Sequence, residues 1–238
     1  MAHSAVDILL VPEGFEHRIV QQGVNKSSGP MPLVLAIPIG PAALSVHLHQ
    51  WIDSGTLFPP GSRILLMGLG GALSDRLQVG DGVLIEACGE QIENREIGWT
   101  PCDRALTTAM ANRVPTLQSG RLITTAGVVC NSRDKQQLGL HTQADVVDME
   151  GFTALKILTE AGHSVAILRV VSDELSHDLP DLGSVVSPSG SLQPGRLLLA
   201  FLKRPRAALR LISGSLQALR ALGLLTRQLF EADERRLA

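Results

Sequence analysis

The strongest constraint on this chain is a series of short aliphatic runs bounded by Gly, Pro or Asp. They are DILLVP (7–12), LVLAIPIG (33–40), RILLMG (63–68), GVLIEACG (82–89), RLITTAGVVC (121–130), ADVVDM (144–149) and SVAILRVVSD (164–173). Runs of this length, apolar at consecutive positions and rich in Val and Ile, fit strands buried on both faces. Amphipathic stretches lie between several of them. PAALSVHLHQWIDSG opens with Pro41 in its first turn and closes at Gly55, CDRALTTAMANR follows later, and GFTALKILTEAGH ends at Gly162. Alternating strand and helix predicts an α/β domain with helices on both faces of a central sheet, a three-layer α/β/α sandwich. No repeat or dividing linker is visible, so residues 1–238 read as one domain. The Pro/Gly/Ser-rich stretch 178–195 reads as a mobile loop over one edge.

Aromatic residues make up only 3% of the chain and tyrosine is absent, so the core must be aliphatic. The net charge of −2 gives no global attraction to nucleic acid. Cys88, Cys102 and Cys130 lack CxxC spacing, which argues against a disulfide framework or a zinc site and for a reducing, cytoplasmic setting. No signal peptide and no run of about 18 apolar residues is apparent, so no spanning helix is expected. His47 and His49 in HLH are two apart, a spacing that points the rings away from each other on a helix, and no metal is expected. His17, His141, His163 and His177 have no second ligand set.

In open α/β sheets ligands bind beyond the carboxyl ends of the strands. Three such ends carry unusual residues. RILLMG runs into Gly68, Gly70 and Gly71, ADVVDM runs into Glu150, and SVAILRVVS runs into Asp173. The glycines are not a dinucleotide fingerprint, because position 73 is leucine, but they permit close backbone approach to a ligand. Read singly, they also fit a tight turn. Glu150 fits an acid at a helix N-terminus, and Asp173 fits a cap.

Together the elements resemble the nucleoside phosphorylase/nucleosidase superfamily, most closely its methylthioadenosine/S-adenosylhomocysteine nucleosidase-like members. The resemblance rests on the glycine-rich loop ending in LQVGD (77–81), on VDME (147–150) and on RVVSD (169–173), and it covers roughly residues 5–175. It implies a central mixed sheet, a purine nucleoside of adenine type as substrate, and cleavage of the N-glycosidic bond through an oxocarbenium-like ribosyl cation. It implies that Asp173, beside Ser172, serves the purine N7, and that Glu150 accepts from the ribose 2′- and 3′-hydroxyls while Met149 lies on the sugar face. Gly68, Gly70 and Gly71 form the floor near the sugar. Relatives that use phosphate carry an arginine and a serine where this chain has Leu66 and Leu69, so hydrolysis is preferred. Glu16, more than Glu13, is then the residue that orients water. Inorganic phosphate stays open as a co-substrate, with Arg18 or Arg169 as its contact, and no other cofactor is implied. Val128 and Val129 stand where an aromatic contacts the base in relatives; plain sheet core is the alternative for both. A non-catalytic nucleoside-binding protein is the competing reading of these substitutions. A homodimer or larger homo-oligomer is expected.

The segment from 196 onward is a basic amphipathic extension. From Leu182 to Phe230 there is no acid, whereas Arg196, Lys203, Arg204, Arg206, Arg210, Arg220 and Arg227 are basic. Pro205 is expected to split it into two helices. It either closes the sheet and packs on a partner subunit or lies on anionic lipid, which would suit a lipid-linked nucleoside such as adenosylhopane.

Overall fold

A computed structural model describes residues 5–55, 58–91, 97–180, 201–202 and 205–232. Each aliphatic run becomes or starts a strand. These are β1 (Ile8–Pro12), β2 (Leu33–Ile37), β3 (Arg63–Ala72), β4 (Gly82–Gln91), β6 (Gln118–Thr124), β7 (Val146–Asp148) and β8 (Ser164–Asp173). Between β4 and β6 lies β5 (Ile97–Pro101), a strand the sequence pattern did not announce. The helices are α1 (Phe15–Asn25), α2 (Pro41–Ser54), α3 (Arg104–Arg113), α4 (Ser132–Thr142), α5 (Gly151–Glu160) and α6 (Pro205–Phe230).

Eight strands form one mixed sheet. β1 pairs in parallel with β2 and β3, and β3 pairs in parallel with β8. β8 then pairs antiparallel to β4, β4 parallel to β6, β6 parallel to β7, and β7 antiparallel to β3. The second half of the sheet therefore curls into a closed ring of β3, β8, β4, β6 and β7. A flat sandwich would have left the ends of β7 and β8 apart; the ring brings both beside the glycines of β3.

Side chains alternate along the strands, so the sheet has two large cores, beside a small cluster of Leu73, Ile123, Ala144 and Val147. Ile8, Leu10, Ile64, Leu66, Val165 and Ile167 meet Leu44 and Leu48 of α2 and Phe152, Leu155 and Leu158 of α5. Leu9, Val11, Leu65, Met67, Ala166, Leu168 and Val170 meet Val20 and Val24 of α1, Met110 of α3, and Leu222, Leu225 and Leu229 of α6. This is the layering expected of strands apolar on both faces.

Helix ends follow their sequence signals. Pro41 starts α2, Gly55 closes it in the left-handed conformation at φ 64°, and Asp103 caps α3 by accepting from Leu106 N. RLITTAGVVC proved half strand and half loop. β6 stops at Thr124, and residues 125–131 leave the sheet.

Pro205 stands at the first position of α6. Arg196, Lys203, Arg204 and most of the expected mobile loop lie outside the described residues. Over Ala207–Phe230 α6 is long and apolar enough by length and composition to cross a membrane, although no uninterrupted apolar run announced it. One face of α6 is nonetheless buried against α1 and the sheet through Ala218, Leu222, Leu225 and Leu229.

Candidate active site

The ends of β1, β3, β7 and β8, with the loop after β6, surround one cavity. Its wall includes Glu16, Leu69, Gly70, Gly71, Val128, Val129, Met149, Glu150, Ser172 and Asp173. Nearly all the sequence candidates thus come together. Gly68 lies outside that lining, as do Glu13, Arg18 and Arg169. A Cβ on Gly68 would fall 2.3 Å from Arg169 Nη1 and 2.6 Å from Glu16 Oε2, so this glycine lets both side chains cross the strand beneath the cavity.

Glu150 is the N-cap residue of α5 and is 4% exposed. It does not cap its own helix through its side chain. Oε1 instead accepts the Gly40 N–H at 2.9 Å, ahead of α2, and Oε2 lies 3.4 Å from Arg169 Nη2. Burial pushes its carboxyl up to about 7; Asp148 and Glu16 add to the rise, and Arg169 and the Gly40 N–H oppose it. The chain tolerates a buried acid here because a cation and a backbone N–H hold it and the cavity opens beside it.

Arg169 in the middle of β8 is fully buried. Its Nε donates to Asp148 Oδ2 at 2.9 Å, and Nη2 donates to the same oxygen. Asp148 also accepts from Gly151 N at 2.8 Å and from Thr124 Oγ1 at 2.7 Å. Three of these donors converge on Oδ2, so Asp148 holds Arg169 in place. Nη1 of Arg169 has no hydrogen-bond partner among the described residues. Glu16, in the first turn of α1, accepts the Leu69 N–H through Oε2 at 2.7 Å. Burial raises its carboxyl, against the pull of that N–H and of Arg169. Three carboxylates, Glu16, Asp148 and Glu150, thus face one cation. Such a centre is hospitable to positive charge and hostile to an added anion.

Asp173 lies across the cavity at the end of β8. Ser172 Oγ donates to its Oδ1 at 2.6 Å and lies 3.2 Å from the Gly70 carbonyl. Lys135 of α4, itself 1% exposed, donates from Nζ to Asp173 Oδ2 and to the Glu174 carbonyl at 3.2 Å. A Cβ on Gly71 would stand 3.0 Å from Asp173 Oδ2, so a larger residue would crowd this carboxylate. Met149 lies near Gly40, where an added Cβ would meet its Cε at 3.6 Å.

Other candidates fall elsewhere. Glu13 and Arg18 are exposed around α1. His47 lies against Trp51 in a tilted arrangement with ring centroids 4.1 Å apart, and His49 Nδ1 lies 2.7 Å from the Ser45 carbonyl. His177 pairs with Glu174 at 3.3 Å, at a second cavity behind Ser172 and Asp173 that Arg210 and Gln217 of α6 also line. Sequence reasoning missed Asp148 and Lys135. Asp148 had a signal, the second acid of VVDME. Lys135 had none, since NSRDKQQ reads as a solvated helix face.

The family model of the phosphorylase superfamily matches residues 13–194. No curated protein matches the chain by sequence. Among solved structures, 5′-methylthioadenosine/S-adenosylhomocysteine nucleosidase of Neisseria meningitidis, bound to methylthio-immucillin-A, is similar at TM-score 0.66 and 13% identity, covering 93% of this chain and 96% of that one. The Helicobacter pylori enzyme of the same name aligns at TM-score 0.64 and 14% identity over 94% and 98% of the two chains. Futalosine hydrolase of Helicobacter pylori aligns at TM-score 0.63 and 14% identity over 92% and 95%. At these identities the likeness is one of fold, while the family match covers most of the chain. The chain therefore belongs to the phosphorylase superfamily, an enzyme of the nucleosidase and nucleoside phosphorylase type, as its three strand-end motifs suggested.

Proposed function

We propose that the protein hydrolyses the N-glycosidic bond of an adenine-type purine nucleoside. The observation that carries this reading is the centre of Glu16, Asp148 and Glu150 around Arg169, which has more negative than positive groups. Breaking the bond from C1′ to N9 leaves positive charge on the ribosyl ring. Carboxylates beside the ring stabilise that charge more than they stabilise the neutral substrate, and this difference lowers the barrier. The same carboxylates repel phosphate. Arg18 lies outside the cavity lining, and the three acids around Arg169 would repel an anion there, so neither favours a phosphate site. Nothing polar replaces the side chains of Leu66 and Leu69; Leu66 is core. The nucleosidase and hydrolase names of the structural neighbours point the same way.

Each residue then has a task. Glu150 accepts from the ribose hydroxyls, its two oxygens suiting a vicinal diol. Met149 packs on the sugar, and Val128 and Val129 flank the base. Glu16, with Nη1 of Arg169, which has no partner among the described residues, holds a water and takes its proton as the oxygen bonds to C1′. Asp173 hands a proton to N7 as the base departs with the bonding electrons.

The test incubates the protein with adenosine or methylthioadenosine, with and without inorganic phosphate, and measures free adenine by chromatography. Equal release without phosphate is the expected result. Release only with phosphate makes the enzyme a phosphorylase, and binding without release makes it a nucleoside binder.

A second reading concerns α6. Leu209, Ile212 and Leu216 are exposed along it and Arg220 and Arg227 follow. We infer that this row lies on anionic lipid, with the leucines in the interface and the arginines at headgroups. Vesicles of phosphatidylglycerol should pellet the full chain and vesicles of phosphatidylcholine should not. A Leu209→Ser, Ile212→Ser, Leu216→Ser variant that pellets as well as wild type overturns this.

A further inference from the structure

We propose that Lys135 is the positioning residue that supplies the proton Asp173 delivers to the leaving base. The proposal rests on the glycosidic-bond reading above. Lys135 and Arg169 are the largest fully buried side chains among the described residues. A buried ammonium costs several kcal/mol unless it is paired, and α4 gains no packing from one. Its neighbours Arg133, Asp134, Gln136 and Gln137 are all exposed. What the lysine does instead is reach Asp173 Oδ2 and the Glu174 carbonyl, at the rim of the cavity that Glu150 lines from the other side.

The chemistry needs such a group. Asp173 accepts from both Lys135 Nζ and Ser172 Oγ, so the N–H of Lys135 is aimed at the carboxylate that would serve the base. As the C1′–N9 bond breaks, its electron pair goes to the purine. N7 takes a proton through Asp173, and Nζ replaces that proton. The step ends with neutral purine, an unchanged Asp173 carboxylate and a neutral Lys135 amine, which regains its proton from solvent after release. Other charges facing the pair are few. Glu174 and His177 pair with each other beyond β8, Asp178 accepts from Ser132 N, and Arg210 of α6 lines the second cavity. Glu150, Glu16 and Asp148 stand on the far side around Arg169. None of them touches Lys135 Nζ among the described hydrogen bonds.

A leaving group that needs no proton separates this role from a structural one. Wild type, Lys135→Met and Lys135→Arg are compared on methylthioadenosine or adenosine and on 4-nitrophenyl β-D-riboside, each across pH. In Lys135→Met, kcat for the purine nucleoside should fall about 100-fold, the lower range for loss of a general acid, while the nitrophenyl riboside changes by less than about threefold. Lys135→Arg keeps the positive charge but its guanidinium does not release a proton, so it should leave the loss in place. If Lys135→Met folds poorly, Lys135→Gln carries the same substrate ratio. An unchanged ratio, whether both activities fall or neither does, or a Lys135→Arg variant with wild-type activity on the purine nucleoside, overturns the proposal while leaving the glycosidic-bond reading standing. A wild-type protein that cleaves neither substrate overturns both.

Discussion

Replacing Glu150 by glutamine should stabilise the protein at alkaline pH while it destroys activity. Folding raises this carboxyl from 4.5 to about 7, because burial outweighs the help of Arg169 and the Gly40 N–H. The folded state therefore binds the proton more tightly than the unfolded chain does. Stability from this group is greatest below 4.5, declines as pH rises from 4.5 to about 7, and is level above that. The interval corresponds to about 3 kcal/mol as an upper bound. Glutamine mimics the protonated acid and keeps an acceptor for Gly40, so Glu150→Gln should melt with wild type near pH 4.5 and above it at pH 8. For a domain of this size each kcal/mol moves Tm by about 2–4 °C, which puts the gap near 6–12 °C at most. Circular-dichroism melts of both proteins from pH 4.5 to 8.5 measure it. On the proposed mechanism activity should move the other way, because the lost carboxylate would face the sugar cation. A fall in kcat of about 100- to 1000-fold matches the loss of one preorganised electrostatic contact. If the variant melts below wild type at pH 8, or the gap between them does not widen with pH, the reasoning about a strained, ligand-directed carboxylate is wrong.

Two further substitutions test the scaffold around it. Arg169→Met strands Asp148, Glu150 and Glu16 without their shared cation and should cost about 3–5 kcal/mol at pH 7, with partial recovery at pH 5 where carboxyls protonate; urea unfolding at both pH values measures this. Gly68→Ala places a methyl where Arg169 Nη1 and Glu16 Oε2 now lie, so it should cost about 1–3 kcal/mol and, on the proposed mechanism, lower kcat more than tenfold by displacing the pair proposed to hold water. An alanine variant with wild-type kcat would remove Glu16 from the mechanism.

Much of this site was legible because its residues sit at strand ends, where the chain pattern announces them. Glu150 and Asp173 stood out as acids directly after aliphatic runs, and Gly70 and Gly71 as glycines where a strand should have bulk. Gly68 belonged to the same signal but serves packing, since glycine relieves crowding from protein as readily as from ligand. Val128 and Val129 looked equally like sheet core; only the end of β6 at Thr124 puts them in the cavity wall. β5 escaped notice because Ile97–Pro101 is short and partly exposed.

Local order sets the period of each run, the helix caps and the residue types at strand ends, because these depend on neighbours one to four positions away. From them the chain's own pattern yields strand-rich layers, two aliphatic cores and acids at the carboxyl edge. Which acids share a cation is a different matter. Asp148 and Arg169 lie 21 positions apart, and Lys135 and Asp173 lie 38 apart. Their meeting depends on the sheet closing through β8 and β4, and on α4 laying one lysine inward among polar neighbours. Burial then changes the chemistry itself: it pushes Glu150 toward 7 and makes a lysine on a polar helix the partner of the acid. Desolvation and charge pairing are properties of the folded interior, so only the tertiary structure could decide them.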